Sequence, residues 1–246
     1  MNIDIAMSRL PETDKKVVVS HSGGLDSSTS LILAVEKYGA EKVLSLGFNY
    51  GQKQVVELER AKNLCDKLGV SRFVIDASNL GEIVKGKSAN ITGSDIEMPT
   101  IKDVLGDPTP KTYVPHRNMI LFSYAAAFAE SNDAQIIICG LQATDEYGYW
   151  DTTMTFAAKM NEVYSLNRNP PIKLVAPFND MTKEAELTVL KEIDRLELLT
   201  NTLSCYNPDS QGRSCGRCPT CAERIKAWMS IGEPDRIEYQ ISIPWN

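Results

Sequence analysis

The chain has 246 residues, 43% of them hydrophobic and 24% charged, enough for one large domain or a domain with a small appendage. Its net charge of −6 argues against a sequence-independent grip on nucleic acid, which needs a basic footprint. No apolar run approaches the ~18 residues of a membrane span. The opening MNIDIAMSRLPETDKK lacks the apolar centre of a signal peptide, so a cytoplasmic location is the expectation.

Val17, Val18 and Val19 form a β-branched run, the signature of a buried strand. Gly23 and Gly24 follow, then Asp26 and Ser27, then a helix from about Ser28 to Tyr38 with Leu31, Ala34, Val35 and Tyr38 on one face. A strand, a glycine turn and a helix N-terminus together make an anion site. The first-turn N–H groups have no helical partner, and the helix dipole favours negative charge there. Glycine lets a phosphate approach the backbone, and Ser22, Ser27 and Ser28 add hydroxyl donors. A polyphosphate is the expected ligand; the alternative is an ordinary turn capped by Asp26 or Ser27. The loop matches neither the Walker A nor the dinucleotide pattern.

Lys42 to Asn49 is predicted as a second strand, followed by YGQ at Tyr50 to Gln52 and a helix from about Lys53 to Leu68. That helix should turn Val56, Leu58, Ala61, Leu64 and Leu68 inward, and Val70 to Asp76 is a third strand. Strands alternating with helices imply a doubly wound parallel sheet of α/β class, which binds ligands beyond the carboxyl ends of its strands. Residues 79–113, rich in glycine and proline, read as an irregular excursion, either a lid over the site or a plain surface insertion. VPHRN at Val114 to Asn118 starts an alanine-rich helix, roughly Met119 to Ser131. Arg117 and Asn118 then sit on the ligand-binding rim, where an arginine fork suits phosphate or carboxylate.

Ala134 to Leu141 is a fourth buried strand, with Cys139 as a packing residue. QATDEYGYWDTT, Gln142 to Thr153, interleaves aromatics with Asp145, Glu146 and Asp151. It reads either as a pocket wall for a flat, donor-rich ligand or as aromatic packing under a loop. A helix spans about Thr155 to Leu166, and Thr182 caps another running to about Asp194, with Leu187, Leu190, Ile193 and Leu196 inward and Lys183 at its start.

Cys205, Cys215, Cys218 and Cys221 are spaced C-x9-C-x2-C-x2-C. Two-residue gaps bring successive thiolates to one point, and four sulfurs complete a tetrahedron, so the expectation is a closed, structural Zn2+ site rather than an iron–sulfur cluster. A nucleic-acid-binding knuckle using Arg213, Arg217, Arg224 and Lys226 is the weaker alternative, and Cys65 reads as core.

SGGLDS at 22–27 resembles the pyrophosphatase loop of enzymes that split ATP into AMP and pyrophosphate. With NYGQ at 49–52, VPHRN at 114–118, the Lys183 segment and SCYNPD…CGRCPTCAER at 204–224 in this order, the chain resembles the QueC-type 7-cyano-7-deazaguanine synthase family from about Lys16 to Trp228. The resemblance implies a parallel-sheet ATP-pyrophosphatase (PP-loop) domain of the adenine-nucleotide α-hydrolase type over 1–200, with the lid-like insertion at about 79–113. It implies a zinc-binding segment and tail over 201–246, one zinc on the four cysteines, and a homodimer. The implied reaction converts 7-carboxy-7-deazaguanine and ammonia to the nitrile through adenylated carboxylate and amide intermediates, using ATP with Mg2+. Carried onto this chain, His21, Ser22, Gly23, Gly24, Leu25, Asp26, Ser27 and Ser28 bind the nucleotide, with Asp26 also the candidate Mg2+ ligand. Asp26, Arg117 and Lys183 are the catalytic candidates. Tyr50, Gln52, Arg117, Asn118, Asp145, Tyr149 and Asp151 are the substrate-binding candidates. Two positions depart from the family pattern: His116 stands where glycine is usual, and Thr152 and Thr153 replace a cysteine and an arginine. The second departure leaves open a related AMP-forming ligase that stops at the amide or joins the base to another amine; a zinc-ribbon RNA-binding module is a third reading.

Overall fold

In a computed structural model that describes residues 2–99, 110–142, 149–167 and 170–245, alternating strands and helices build a five-stranded parallel sheet. Its order is β3-β2-β1-β4-β5. The strands are β1 (Lys16–Ser20), β2 (Val43–Asn49), β3 (Ser71–Asp76), β4 (Ala134–Cys139) and β5 (Lys173–Val175). β1 lies in the middle, with Val18 opposite Leu44 on one side and Ile137 on the other. The chain leaves β1 toward one edge and returns to β4 on the other side, so the carboxyl ends of β1 and β4 flank the crevice where such sheets hold ligands.

Alternation along β1 decides what each face buries. Val17 and Val19 pack with α2 (Leu25–Tyr38), α3 (Val56–Leu68) and the N-terminal helix α1 (Asn2–Ser8). Val18 packs with α4 (Ser78–Ile83), α5 (Arg117–Ser131) and α6 (Met154–Tyr164). The doubly wound α/β expectation holds. Three elements were not foreseen. α1 lacks a strong period, β5 is only three residues at the sheet edge, and α4 begins inside the stretch read as irregular. The lid reading of that stretch falls partly on residues 100–109, outside the described residues. Among the rest, Ser88, Ala89, Asn90 and Ile91 are buried.

α2 differs from its one-faced expectation, since Leu25, Ile32 and Leu33 are buried as well as Leu31 and Ala34. The reason is a second layer. α7 (Lys183–Glu192) and α8 (Pro219–Ser230) cover α2 from outside, and Leu25, Ile32, Leu187, Leu190 and Trp228 share one cluster. No helix among the described residues is long and apolar enough to cross a membrane.

The C-terminal segment is clamped by one buried ion pair. Arg224 donates from Nε to Asp235 Oδ2 at 2.6 Å and from Nη2 to Oδ1 at 2.9 Å, and from Nη1 to Thr202 Oγ1 at 2.8 Å. Both charged side chains are essentially sealed from solvent, at 1% and 0% exposure. Truncating Asp235 strands a buried guanidinium, a change that typically destabilises by about 3–5 kcal/mol. We therefore expect Asp235→Ala to lose stability of that order in urea unfolding at pH 7. A loss below about 1 kcal/mol, the range of exposed pairs, would contradict the clamp.

Candidate active site

The glycine turn between β1 and α2 is held from behind by two approaches that leave no room for a side chain. A Cβ on Gly23, whose φ is +103°, would lie 2.2 Å from the backbone oxygen of Glu57. A Cβ on Gly140, just past β4, would lie 2.6 Å from the Ser27 nitrogen. Pressed between α3 and the end of β4, the loop directs its free polar groups outward. Ser22 and Ser27 hydroxyls meet at 3.0 Å and both line a cavity of about 280 Å3. The N–H groups of Asp26 and Ser27 open α2 and find no acceptor among the described residues, as the anion-site reading requires.

His21 and Ser28, two of the nucleotide-binding candidates, turn away from this cavity, whereas Leu25 lines it with its amide engaged elsewhere. His21 is 1% exposed and spans β1, α2 and β2, with Nε2 3.0 Å from Ser28 Oγ and Nδ1 3.1 Å from Ser45 Oγ. Arg72 Nη1 donates toward Nδ1 at 3.3 Å, so Nδ1 is the acceptor and Nε2–H donates to Ser28. Burial, then the Arg72 charge, pushes the His21 pKa well below the ordinary imidazole value, so the ring is neutral. Ser28 is thereby engaged inward, and the Leu25 amide is taken by Ser204 Oγ at 3.3 Å. Their polarity braces the loop instead of lining it.

Substrate candidates divide in the same way. Tyr50, Arg117, Asn118 and Tyr149 line the cavity. Gln52 is fully buried, accepting from the Tyr50 amide at 2.8 Å and donating to Phe48 O at 3.0 Å, so it shapes the turn after β2. Asp151 is buried and accepts from the Asn118 amide at 3.2 Å, which fixes the start of α5. It lines a smaller adjoining cavity together with Arg117 and Tyr149. Asp145 lies outside the described residues. His116 adopts φ +54°, the left-handed conformation natural to glycine, immediately before α5. Thr153 accepts from the Phe156 amide at 3.1 Å and caps α6, a role unrelated to ligand contact.

Two cationic side chains line the main cavity among the described residues, Lys183 and Arg117. Lys183 donates to Gln142 Oε1 at 3.0 Å and lies 3.5 Å from both Asp26 Oδ2 and Glu223 Oε2, beside the glycine loop. Arg117 lies over the Tyr50 ring, 5.8 Å from its centroid, and donates to Asn118 Oδ1 at 3.2 Å. Burial opposes its charge, but Tyr50 and Asp151 more than offset this and raise its pKa.

Sequence reasoning missed two buried carboxyls. Glu57 lines the cavity at 8% exposure, and burial raises its pKa to about 7 against the pull of Gln52, Arg117 and Arg72. Glu186 is fully buried, and burial, then repulsion by Asp26, pushes its pKa well above the usual carboxylate value. The signal was present: Glu57 is in phase with Ala61 and Leu64, and Glu186 with Leu190, so each carboxyl sits on its helix's buried face.

Cys205, Cys215, Cys218 and Cys221 bring their sulfurs within 4.8 Å of one another. Backbone amides of Cys215 and Asn207 donate to Cys205 Sγ, and those of Arg217 and Cys218 to Cys215 Sγ, at 3.2 to 3.4 Å. Such donors stabilise thiolates, and four sulfurs this close together fit a metal such as zinc, which takes four thiolates tetrahedrally. The segment is stitched to the loop, since Leu203 N donates to Gly23 O at 2.9 Å, and Ser204, Tyr206 and Thr220 form a cavity wall. The knuckle reading loses two of its cations. Arg224 is the buried partner of Asp235, and Arg213 pairs with Asp209 at 2.7 Å.

A family model described as "Queuosine biosynthesis protein QueC" matches residues 16–232. The chain is 38% identical over 234 residues to a 7-cyano-7-deazaguanine synthase of Caldicellulosiruptor bescii, covering 94% of this chain and 100% of that one. It is 37% identical over 227 residues to one from a Marinomonas species, covering 92% and 99%. Among solved structures it is similar in fold to the U34-tRNA thiolase NcsA from Methanococcus maripaludis, with TM-score 0.50 and 14% identity over 78% of this chain and 63% of that one.

The raised Glu57 pKa makes a signed prediction. The folded state holds this proton up to about pH 7, whereas the unfolded chain releases it near 4.5, so folding stability falls as pH rises between the two. Glu57→Gln has no such loss. Its stability relative to the wild type should grow by about 3 kcal/mol between pH 4 and pH 8 in denaturant titrations, and parallel curves would contradict the burial account.

Proposed function

This chain belongs to the QueC family of queuosine biosynthesis proteins, and we propose that its cavity uses ATP twice to turn a base-linked carboxylate into a nitrile. It is an enzyme of 7-deazapurine biosynthesis, a ligase related to proteins named 7-cyano-7-deazaguanine synthase. The observation that carries the mechanism is the placement of the glycine turn, Lys183 and Arg117 around one cavity.

A carboxylate resists attack by ammonia because its leaving group would be oxide. In the proposed route an oxygen of the 7-carboxyl of 7-carboxy-7-deazaguanine attacks the α-phosphorus of ATP. The bond to the β-phosphate oxygen breaks and pyrophosphate leaves. Ammonia adds to the acyl carbon, a proton is lost, and AMP departs to give the amide. The amide oxygen then attacks a second ATP. Loss of pyrophosphate, AMP and two protons leaves the carbon–nitrogen triple bond. Each adenylation builds charge on the departing diphosphate, and the amides of Asp26 and Ser27, the hydroxyls of Ser22 and Ser27, and Lys183 are the groups assigned to it. Arg117, with Tyr50 and Asn118 setting its direction, is assigned to the substrate carboxylate, a task for which Thr153 has no charge. Tyr149 is assigned to the base plane, and Asp151 to holding Asn118. Asp26, 28% exposed beside the loop, offers the oxygen donor that Mg2+ prefers, and the ion would offset triphosphate charge. Zn2+ on the four cysteines would be structural, keeping Leu203 to Tyr206 against the loop. On this reading residues 1–200 form the ATP-pyrophosphatase domain and 201–246 the zinc-binding segment and tail. The family resemblance extends it to a cytoplasmic homodimer.

Incubation with ATP, ammonia and 7-carboxy-7-deazaguanine, followed by mass spectrometry, tests the reaction. The expected result is the nitrile with two AMP per base; an amide end product with one AMP would support the amide-forming ligase instead, and ADP would contradict both. Arg117→Ala should raise KM for the base at least about 10-fold with little change in KM for ATP, because a charge-assisted pair contributes about 1.5–3 kcal/mol. Equal effects on both substrates would contradict the assignment of Arg117.

A further inference from the structure

Gln54 lies in the turn just before α3, its backbone carbonyl accepting from the Glu57 amide at 3.0 Å. Glu57 lies in the first turn of α3, and both residues line the main cavity. Gln54 is 7% exposed, and its Oε1 has no hydrogen-bond partner among the described residues. A buried carbonyl left without a donor is costly unless a ligand supplies one. Glu57 accepts one hydrogen bond, from Gln52 Nε2 to Oε1 at 3.2 Å, and the other carboxyl oxygen takes none from the described residues. Phe48, Leu121 and Phe122 line the same cavity, giving a flat ring an apolar surface beside these acceptors.

We propose that Gln54 and Glu57 form a specificity subsite that reads the N–H donor edge of the base, Glu57 accepting from the ring N–H and the adjacent exocyclic amine and Gln54 Oε1 from the amine's second hydrogen. The inference rests on the reading of the base as a 7-deazaguanine. A guanine-type edge presents two neighbouring donors, which a carboxylate accepts side by side. An adenine edge presents one amine next to a ring-nitrogen acceptor, which would face a carboxylate oxygen unfavourably. The pair therefore suits the deazaguanine and not the adenine of ATP. Arg117 then takes the carboxylate elsewhere on the same ring system.

The charges around Glu57 are Arg117 from α5 and Arg72 from β3, with the Tyr50 hydroxyl from the turn after β2. Burial raises the Tyr50 pKa, so the tyrosine stays neutral and both arginines stay cationic across the physiological range. Glu57 is the group that changes, since its carboxyl is raised to about 7. Once ionised it offers only acceptors, so the base should bind more tightly at pH 8 than at pH 6.

Calorimetric titration of the full chain with 7-carboxy-7-deazaguanine, and with its analogue lacking the 2-amino group, tests the proposal. Binding is read instead of turnover, so a failure to form nitrile counts against the proposed reaction and not against this subsite. The wild type should bind the analogue at least about 10-fold more weakly, the loss of a site's hydrogen-bonding partner. Glu57→Gln should weaken binding of the natural base about 10- to 100-fold, remove most of that discrimination and flatten the pH dependence, while the Kd for ATP stays within about twofold. Gln54→Ala should weaken the base about fivefold. Unfolding midpoints of both variants establish that they fold. No binding by the wild type, unchanged discrimination in Glu57→Gln, or a weakened ATP Kd in its place would each overturn the subsite.

Discussion

The site depends on a backbone packed too closely for side chains. Gly23 meets the carbonyl of Glu57 where even a methyl group would overlap, and Gly140 meets the first turn of α2 in the same way. These contacts fix the glycine turn from two directions, through α3 and through the end of β4. The parallel sheet supplies the rest. Because β1 is central and β4 adjoins it, the turn after β1, the start of α5 and the start of α7 converge on one cavity. A rigid frame of this kind lets amides and hydroxyls await charge without reorganising, which is the physical basis of electrostatic catalysis.

Charge is managed by burial and pairing. Behind the glycine turn, burial keeps His21 neutral and, with repulsion by Asp26, pushes the Glu186 carboxyl well above the usual carboxylate range. The C-terminal segment carries its buried arginine only because Asp235 and Thr202 satisfy it. In the cavity itself the cations remain, Lys183 beside the loop and Arg117 beside Tyr50. The four sulfurs complete the frame, since Leu203 and Ser204 tie their segment to Gly23 and Leu25 and Cys205 itself lines the cavity.

Local chemistry was legible in the sequence wherever a few neighbouring residues carry it. Val17 to Val19, the glycine pair, the Thr182 cap and the cysteine spacing each announce a structure that forms within one turn or one strand. Roles set by distant neighbours were not legible. His21 and Gln52 stand in the motifs, yet their partners are Ser45 and Arg72 in one case and Phe48 and Glu57 in the other. Leu58 was read as an inward residue, whereas Glu57 beside it is the buried one, because α3 turns that face toward the cavity. The burial of α2 on nearly every side likewise follows from α7 and α8, which no local pattern reveals.

The central claim is that the turn from Ser22 to Ser27 holds the diphosphate that leaves the nucleotide. A crystal structure with a non-hydrolysable ATP analogue tests it most directly. The account predicts β- and γ-phosphate oxygens within hydrogen-bond distance of the Asp26 and Ser27 amides and the Ser22 and Ser27 hydroxyls. Phosphates seated elsewhere in the cavity, with those amides still turned to solvent, would contradict it.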